Sequence, residues 1–383
     1  MKPALLYGER PYGLTESALI EKLFSKAREV FGSFGYDYLQ LSSFEPYELQ
    51  EKAFNEGAKK AITFKETSSG DLLALRLDFT TQLVRTVSSL KRVLFPKRLY
   101  YFGPLYSLSE KGFEGLQTGV ELLGEGSVEA DAEVVEALYA YLKALGIKEV
   151  KVILGHAGVA RKLAGNDEEL IKAFAERNLE LLGRRFGPKL FELVSVSDEA
   201  PLGLLDELGL KKEREELERA AGLLAEAGVS VLFDLCELRP FPYYDGITFE
   251  LFEEKSGRVL AGGGRYDGLS RLYGAEFPAT GGAAYLERLL ELMPQGLRRK
   301  DYFVVDRSSR GLGRKLARLL RGREKAVALE LSGRPLEKSL QYAFAEGFKE
   351  VLVVEDETLR VYSTPKSFVT LRLEEFLKLA GLA

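Results

Sequence analysis

Two long segments of alternating residue character, separated by a short polar stretch, restrict the fold more than any other feature of this chain. The segments are RLYYFGPLYSL at 98–108 and GLQTGVELLGE at 115–125. This pattern is typical of two antiparallel strands joined by a turn. A Rossmann unit needs a long crossover between its parallel strands, so the pair predicts an antiparallel sheet.

The rest of the first 293 residues predicts helices and further strands around that sheet. We predict helices at 15–34, 46–56, 129–145 and 283–293, and Thr15 as the N-cap of the first. Further strands are expected at 36–41, 72–79, 151–155, 229–234, 243–254 and 258–269. Residues 158–227 have helical periodicity almost throughout and predict a helical insertion.

A stretch rich in Pro, Gly and charge, PQGLRRK at 294–300, has the composition of a linker. Beyond it, YFVVD, AVALEL, EVLVVE and LRVYS alternate with helices predicted at 311–321 and 336–347, which indicates a small α/β domain. The fold class is therefore α+β, with domains at 1–297 and 298–383.

The composition excludes several classes of site. The 383 residues include one cysteine, Cys236, and one histidine, His156, so a disulfide framework and a His/Cys metal site are not expected. His156 ends an apolar strand in KVILGHAG, a setting that favours a structural role. The start MKPALLYGERPYG has no apolar signal core, and no apolar run reaches the ~18 to 20 residues of a membrane span, so we expect a cytoplasmic protein.

Two polar sets predict a pocket for a cation. In LRLDFTT, alternation would place Arg76, Asp78 and Thr80 on one face of a strand. In LQTGVELLG, Gln117 and Glu121 share one face. Carboxylates with an amide suit an ammonium group, because charge-assisted hydrogen bonds are strong and directional.

Two further sets are weak when taken alone. Arg239, Tyr243 and Tyr244 lie in ELRPFPYYDGITFE, where tyrosines more often pack within a strand. The glycine-rich GGGRYDG at 262–268 more often marks a bulge or a close backbone approach than a phosphate-binding turn.

The order of these segments along the chain is more informative than any one segment alone. LRLDFTTQLVR, RLYYFGPLYS, LQTGVELLG, YYDGITFE and GGGRYDGL follow one another as in the class II histidyl-tRNA synthetases, which the chain resembles over roughly residues 10–292. The resemblance implies a six-stranded antiparallel sheet flanked by helices, a dimer, and a C-terminal domain similar to an anticodon-binding domain.

The resemblance also implies a histidine site. Positions matching Asp78, Thr80 and Gln117 hold the α-amino group, those matching Glu121 and Tyr244 hold the imidazole, Tyr266 closes the pocket and Arg239 faces the carboxylate. With Tyr243, the predicted histidine-binding residues are Asp78, Thr80, Gln117, Glu121, Arg239, Tyr243, Tyr244 and Tyr266.

The sequence differs from the synthetases in the motifs that bind ATP. The class II motif Phe-Arg-x-Glu stands here as Tyr106-Ser107-Leu108-Ser109, without the arginine and, unless Glu110 shifts by one, without the glutamate. A fixed guanidinium stabilises the charge that develops on the α-phosphate. Arg288 matches the arginine of the third class II motif, but a structural pairing with Glu287 or Glu291 is the better interpretation.

A histidine pocket without ATP machinery resembles the synthetase paralogues that serve as regulatory subunits of ATP phosphoribosyltransferase. That likeness implies a non-catalytic subunit, without cofactor or metal, that activates a short-form catalytic subunit in histidine biosynthesis and makes it sensitive to histidine. It also implies self-association and partnership with the catalytic subunit rather than with a membrane or nucleic acid.

Two alternatives stay open. One is an active histidyl-tRNA synthetase with divergent motifs, and the other is a synthetase-like RNA-binding sensor. A basic cluster favours RNA to some degree, although a solvated helix explains it equally well. Its residues are Arg307, Arg310, Arg314, Lys315, Arg318, Arg321, Arg323 and Lys325.

Overall fold

The computed structural model describes residues 12–108, 114–165, 167–176, 178–187, 202–235, 243–293 and 300–381. The described residues form two compact units, one within Leu19–Met293 and the other within Tyr12–Ala18 and Pro294–Ala383. The predicted boundary at 297/298 and most of the predicted linker lie outside the described residues, so the exact division stays a prediction.

The first unit contains eleven described strands and ten described α-helices. The strands are β1 (Asp37–Tyr38), β2 (Phe44–Pro46), β3 (Thr63–Lys65), β4 (Leu72–Leu75), β5 (Lys97–Tyr106), β6 (Glu114–Leu123), β7 (Val150–His156), β8 (Val231–Phe233), β9 (Ile247–Glu253), β10 (Arg258–Arg265) and β11 (Ala279–Tyr285). The helices are α1 (Leu14–Ser33), α2 (Tyr47–Phe54), α3 (Phe79–Ser88), α4 (Val128–Ala144), α5 (Ala157–Ala164), α6 (Glu168–Ala175), α7 (Leu179–Phe186), α8 (Gly203–Glu207), α9 (Lys211–Glu226) and α10 (Leu286–Leu292). Short 3₁₀ helices lie at Asn55–Lys60 and Leu269–Tyr273.

The predicted hairpin is confirmed and forms part of the main sheet. β5 and β6 pair antiparallel from Lys97 opposite Leu123 to Tyr106 opposite Glu114. The sheet has the order β1-β5-β6-β11-β10-β9-β7-β8, and its six inner strands are antiparallel. The short edge strands β1 and β8 add parallel pairs that the expected six-stranded sheet did not include.

The prediction of a helix over 283–293 is wrong at its start. Residues 283–285 end β11, and the helix begins at Leu286. The sequence of β11, ATGGAAY, is too rich in small residues to show an alternating pattern. β11 forms a strand because it pairs antiparallel with β6 on one side and β10 on the other, although its own side chains show no strand pattern.

The predicted strand at 72–79 is too long. β4 ends at Leu75, and Asp78 is the N-cap of α3, because its side chain accepts a hydrogen bond from the Thr81 amide at 2.8 Å. Asp78 and Thr80 therefore approach the same place through a helix start and not through strand alternation. Thr15 is also not a cap, since α1 already begins at Leu14.

The helical insertion predicted at 158–227 is present in its described parts as α5 to α9. The periodic apolar residues of α9 explain its attachment, because Leu217 and Leu224 are completely buried, while most of its charged residues face outward and the buried Glu213 pairs with Lys162 of α5. Within the described residues, no helix combines the length and apolar character that a membrane span requires.

The second unit is the predicted α/β domain. Its elements are β12 (Lys300–Asp306), α11 (Leu312–Arg321), β13 (Val327–Leu329), α12 (Leu336–Ala345), β14 (Phe348–Val354), β15 (Thr358–Thr364), β16 (Ser367–Arg372) and α13 (Leu373–Leu379). The sheet order is β13-β12-β14-β15-β16, with a parallel half followed by two antiparallel strands. Alternate residues of β14 face opposite layers, so α12 covers one side and α11 with α13 the other.

Candidate functional site

A cavity of about 220 Å³ opens in the first unit beside the start of α3 and strands β6, β10 and β11. We call it the carboxylate cavity, because Asp78 and Glu287 both line it. Five of the eight residues predicted to bind histidine line it: Asp78, Thr80, Gln117, Tyr243 and Tyr244.

Glu121 and Tyr266, two more of the predicted residues, lie behind this lining. Glu121 is completely buried. The Thr80 hydroxyl donates to Glu121 Oε1 at 2.6 Å, and the Tyr266 hydroxyl donates to Glu121 Oε2. Glu121 therefore holds one residue of the cavity wall, Thr80, in place.

Glycines make room for this buried carboxylate. A Cβ atom built on Gly281 would lie 1.6 Å from Glu121 Oε2, and one on Gly119 would lie 2.4 Å from the Tyr101 hydroxyl. Gly263 faces the Gly281 carbonyl, which a Cβ atom would approach to 2.0 Å. The GGG segment of β10 thus serves close backbone approach, the interpretation that the sequence favoured over a phosphate-binding turn.

Burial governs the titration of both acids. It raises the pKa of Glu121 to about 8, although the hydrogen bonds from Thr80 and Tyr266 oppose the shift. Burial also raises the pKa of Asp78 to about 6, against the lowering effect of the Thr81 amide. A cationic ligand next to these groups would favour their ionised forms, so the cavity is suited to a cation.

The other end of the cavity carries a carboxylate too. Glu287, in the first turn of α10, accepts a hydrogen bond from the backbone amide of Leu116. Among the described residues that line the cavity there is no lysine, arginine or histidine. A polyphosphate would therefore meet negative charge there without a described cation to balance it.

The motif positions of the ATP side have structural partners where they are described. β5 ends at Tyr106, and beyond Ser107 the Leu108 amide donates to the Lys60 carbonyl at 2.7 Å. Arg288 donates to the Val259 carbonyl at 2.6 Å and lies 4.4 Å over the Tyr285 ring. Its structural role agrees with the prediction, whereas the predicted partner Glu291 pairs with Arg258.

Several sequence positions lie outside the described residues. They are Ser109 and Glu110 of the class II motif, Cys236, and Arg239, the last of the eight predicted histidine-binding residues. The role of Arg239 toward the substrate carboxylate therefore stays a prediction.

Three polar side chains of the lining were not predicted as site residues: Tyr101, Tyr285 and Glu287. Tyr101 lies opposite Gly119 in the β5–β6 pair, so the hairpin register would have placed it beside Gln117 and Glu121. Its ring stacks on Phe79 with centroids 4.2 Å apart, which packs the start of α3 against the sheet. Tyr285 and Glu287 depend on β11, which the sequence did not reveal.

His156 has the structural role that its setting indicates. Its Nδ1 accepts a hydrogen bond from the Gly158 amide at 3.0 Å and caps α5, while Nε2 lies 2.9 Å from Glu216 Oε2 on α9. The residue is buried and joins the main sheet to the helical insertion. Among the described residues, no group of three His, Cys, Asp or Glu side chains could hold a metal ion.

We expect His156→Ala to lower the free energy of unfolding by about 1 to 3 kcal/mol, because it removes a helix cap and leaves Glu216 without this partner. Denaturant unfolding measures the loss. Histidine binding, followed by calorimetry on the folded variant, should be unchanged, and a large loss of binding would assign His156 to the ligand site instead.

Comparison with known proteins identifies the family. The histidyl-tRNA synthetase family model matches residues 8–289. The ATP phosphoribosyltransferase regulatory subunit of Aquifex aeolicus is 54% identical over 382 residues, which covers 99% of this chain and 100% of that protein. The chain belongs to the ATP phosphoribosyltransferase regulatory subunit family. The regulatory subunit of Halothermothrix orenii is 32% identical, with 76% of each chain covered.

Solved structures agree with the fold. A protein described as an ATP phosphoribosyltransferase regulatory subunit/histidyl-tRNA synthetase from Bacillus halodurans superposes with a TM-score of 0.81 at 25% identity, covering 93% of this chain and 99% of that one. Apo histidyl-tRNA synthetase of S. aureus, at 20% identity and a TM-score of 0.74, shares the fold. The predicted likeness to class II histidyl-tRNA synthetases and to their regulatory paralogues is thereby confirmed.

Proposed function

We propose that this chain is the non-catalytic regulatory subunit of an ATP phosphoribosyltransferase. In this role it activates a separate short-form catalytic subunit in the first step of histidine biosynthesis, and histidine bound in the carboxylate cavity inhibits the complex. The observation that carries the proposal is the lining of that cavity, which has two carboxylates and no cation among its described residues. Such a site favours an amino group over a nucleotide.

Gln117 supports an amino-acid ligand. Its Oε1 atom is buried and has no hydrogen-bond partner among the described residues, although the residue lines the cavity. A buried acceptor without a donor costs about 1 to 3 kcal/mol. An α-ammonium group placed between Gln117 and Asp78 would supply that donor and a favourable charge.

Adenylation has little support. The arginine that would grip the α-phosphate is replaced by Ser107, and Arg288 is bonded to the Val259 carbonyl. Removing one preorganised donor typically costs about 2.7 to 4 kcal/mol of transition-state stabilisation. The chain thus retains the synthetase residues of the amino-acid pocket and differs from the synthetases at positions that would bind ATP.

Inhibition by histidine requires that the active and inactive states of the complex bind histidine with different affinities. Histidine can shift the complex toward an inactive state only if the cavity binds it more tightly in that state. Contact between the regulatory and catalytic subunits must therefore alter the cavity. We propose that the start of α3 is where this occurs, because Asp78 and Thr80 both belong to it and both line the cavity.

The direct test mixes the purified chain with a short-form catalytic subunit and measures product formation with and without histidine. We expect activity to rise when the chain is added and to fall when histidine is added. Without any activation by the chain, the proposal fails.

The variant Gln117→Leu separates binding from activation. It should leave activation intact and raise the histidine concentration needed for inhibition by about tenfold, the effect of ~1.4 kcal/mol in lost hydrogen bonding. Gln341→Leu makes the same chemical change on the exposed side of α12 and should alter neither quantity. If both variants keep wild-type inhibition, the inhibitory histidine binds elsewhere.

The alternatives predict different results. Exchange of pyrophosphate into ATP that depends on histidine would establish an active synthetase. Tight tRNA binding that weakens steeply with salt, without activation of the catalytic subunit, would favour the RNA sensor. Arg321 and Arg323 of the basic cluster donate to the Val327 and Gly381 carbonyls, which favours a structural role for part of that cluster.

We further expect, from the family likeness, that the chain forms a dimer in the cytoplasm. Analytical ultracentrifugation of the purified chain at micromolar concentration tests the association. A monomer under those conditions would contradict it.

A further inference from the structure

A second cavity, of about 320 Å³, shares one residue with the first. Tyr243 lines both. The Tyr243 ring also contacts Tyr244 and Tyr266, with centroids 4.9 and 5.9 Å away, so it is packed against the residues of the predicted histidine site. The proposed function assigns no role to this second cavity, which we call the cationic cavity.

Its charge is opposite to that of the first cavity. Lys52 of α2 and Arg161 of α5 bring two cations to it from separate elements. Asp245, just before β9, supplies a carboxylate, and Arg161 is close enough to act on its titration. Small anions are thus favoured here and disfavoured in the carboxylate cavity.

Asp245 is held in a fixed position. Its Oδ1 accepts a hydrogen bond from the Asp267 amide at 3.0 Å, and its Oδ2 accepts one from the Gly268 amide at 2.8 Å. Each carboxylate oxygen can accept more than one hydrogen bond, so the group keeps capacity for ligand hydroxyls. A carboxylate anchored by backbone amides suits hydroxyl recognition, because its orientation does not change on binding.

The backbone at the edge of the cavity is strained. Asn55 has φ 48° and ψ −121°, and only one other described non-glycine residue, Glu324, has a positive φ. Such a conformation is unfavourable for a residue with a side chain and is concentrated at ligand sites and switch regions. In this chain it places Asn55 in the lining of the cationic cavity.

We propose that the cationic cavity binds a phosphorylated sugar, with its phosphate on Lys52 and Arg161 and its hydroxyl groups donating to Asp245. A phosphate monoester carries about −1.5 to −2 charges at pH 7, which two cations balance. The single carboxylate of an amino acid would need only one of them. Leu272, an exposed residue of the lining, adds an apolar surface for the carbon skeleton.

Tyr243 would link this ligand to the histidine site. Because its side chain lines both cavities, a ligand in one restricts the positions that Tyr243 can take for the other. We therefore expect the two affinities to depend on each other, and linkage requires the same factor in both directions. The inference goes beyond the proposed function and can be tested on the isolated chain.

The probes are ribose 5-phosphate and inorganic phosphate, titrated by calorimetry into the full chain. Ribose 5-phosphate should bind more tightly than phosphate. The double variant Lys52→Ala/Arg161→Ala should weaken both by about tenfold or more. Asp245→Asn should reduce the preference for ribose 5-phosphate over phosphate, because the lost negative charge favours both anions while the lost carboxylate acceptor affects only the sugar hydroxyls.

The matched control is Lys172→Ala/Arg184→Ala, which removes the same charge from exposed positions of the helical insertion and should bind as the wild type does. Lys52→Ala alone, at an exposed position, keeps the test valid if the double variant does not fold. No binding to the wild type, binding unaffected by the loss of Lys52, or equal affinity for the two probes would overturn the proposal.

The link through Tyr243 is measured by titrating histidine with and without saturating ribose 5-phosphate. A change in histidine affinity, with the same factor in the reverse titration, is expected. An unchanged affinity would overturn the link. These titrations contain no catalytic subunit, so their failure is distinguishable from failure of the activation that the proposed function requires.

Discussion

Glu121→Gln is expected to raise the free energy of unfolding by several kcal/mol at pH 9 and to remove the contribution of Glu121 to the decline in stability that the wild type shows between about pH 4.5 and 8. The cause is the complete burial of Glu121 behind the cavity wall. The fold stabilises the protonated form of this acid, and a neutral amide of similar shape stays uncharged at every pH, although its NH2 group must donate to one of the two hydroxyls that now donate to Glu121.

The direction follows from the two pKa values. Burial raises the pKa of Glu121 from 4.5 to about 8 in the folded state. The native state therefore holds a proton that the unfolded state has lost, so stability falls as pH rises through that interval. An interval of about 3.5 pH units corresponds to at most about 5 kcal/mol.

Urea unfolding of both proteins at pH 5, 7 and 9 measures this effect. Glu226→Gln, at an exposed position of α9, is the matched control and should follow the wild-type curve. A wild-type protein equally stable at pH 5 and 9, or equal curves for the two variants, would contradict a neutral buried acid. Asp78, whose pKa is raised to about 6, contributes to the same decline and remains in both variants.

The same substitution should weaken ligand binding. A cation in the cavity favours the ionised form of Glu121, and Gln cannot ionise, so we expect histidine affinity to fall by about 1.5 to 3 kcal/mol. Calorimetry on the Gln variant tests this. Glu121 thus lowers the stability of the protein without a ligand and strengthens binding of the ligand. This is a typical trade-off between stability and function.

Part of this site could be predicted from the sequence, because the alternation of side chains between the two faces of a strand does not depend on tertiary contacts. Gln117 and Glu121 were placed on one face of β6 from residue parity alone; Gln117 lines the cavity, and Glu121 lies behind its wall, where it bonds to Thr80 and Tyr266. Asp78 and Thr80 both line the cavity, but the predicted strand face is wrong, because the chain turns from β4 into a helix that Asp78 caps. Local hydrogen bonding of Asp to a backbone amide overrode the alternating pattern there.

The rest depends on contacts that a sequence does not show. β11 has glycine and alanine where a strand normally shows bulky apolar residues, so its place between β6 and β10 was invisible. Glu287 and Tyr285 follow from that strand. The cationic cavity likewise joins Lys52, Arg161 and Asp245, which are far apart in the chain.

Gly281→Ala is expected to destabilise the protein by about 1 to 3 kcal/mol or more, the typical cost of overpacking. The new Cβ atom would lie 1.6 Å from Glu121 Oε2 and 2.8 Å from the Val120 carbonyl. Glu121 cannot move aside without losing its hydrogen bonds to Thr80 and Tyr266. Denaturant unfolding at pH 7 measures the loss.

The control is the same change at an open position. Gly222 is an exposed position of helix α9, where a Cβ atom would meet nothing within 4 Å. Gly222→Ala should therefore stabilise the chain by about 0.5 to 1 kcal/mol, the opposite sign, because alanine restricts the unfolded chain. A neutral Gly281→Ala would mean that Glu121 does not occupy the position on which the site depends. Because removal of the Glu121 side chain clears most of the clash, Gly281→Ala should cost less in a Glu121→Ala background, and this double-mutant cycle assigns the destabilisation to that one contact.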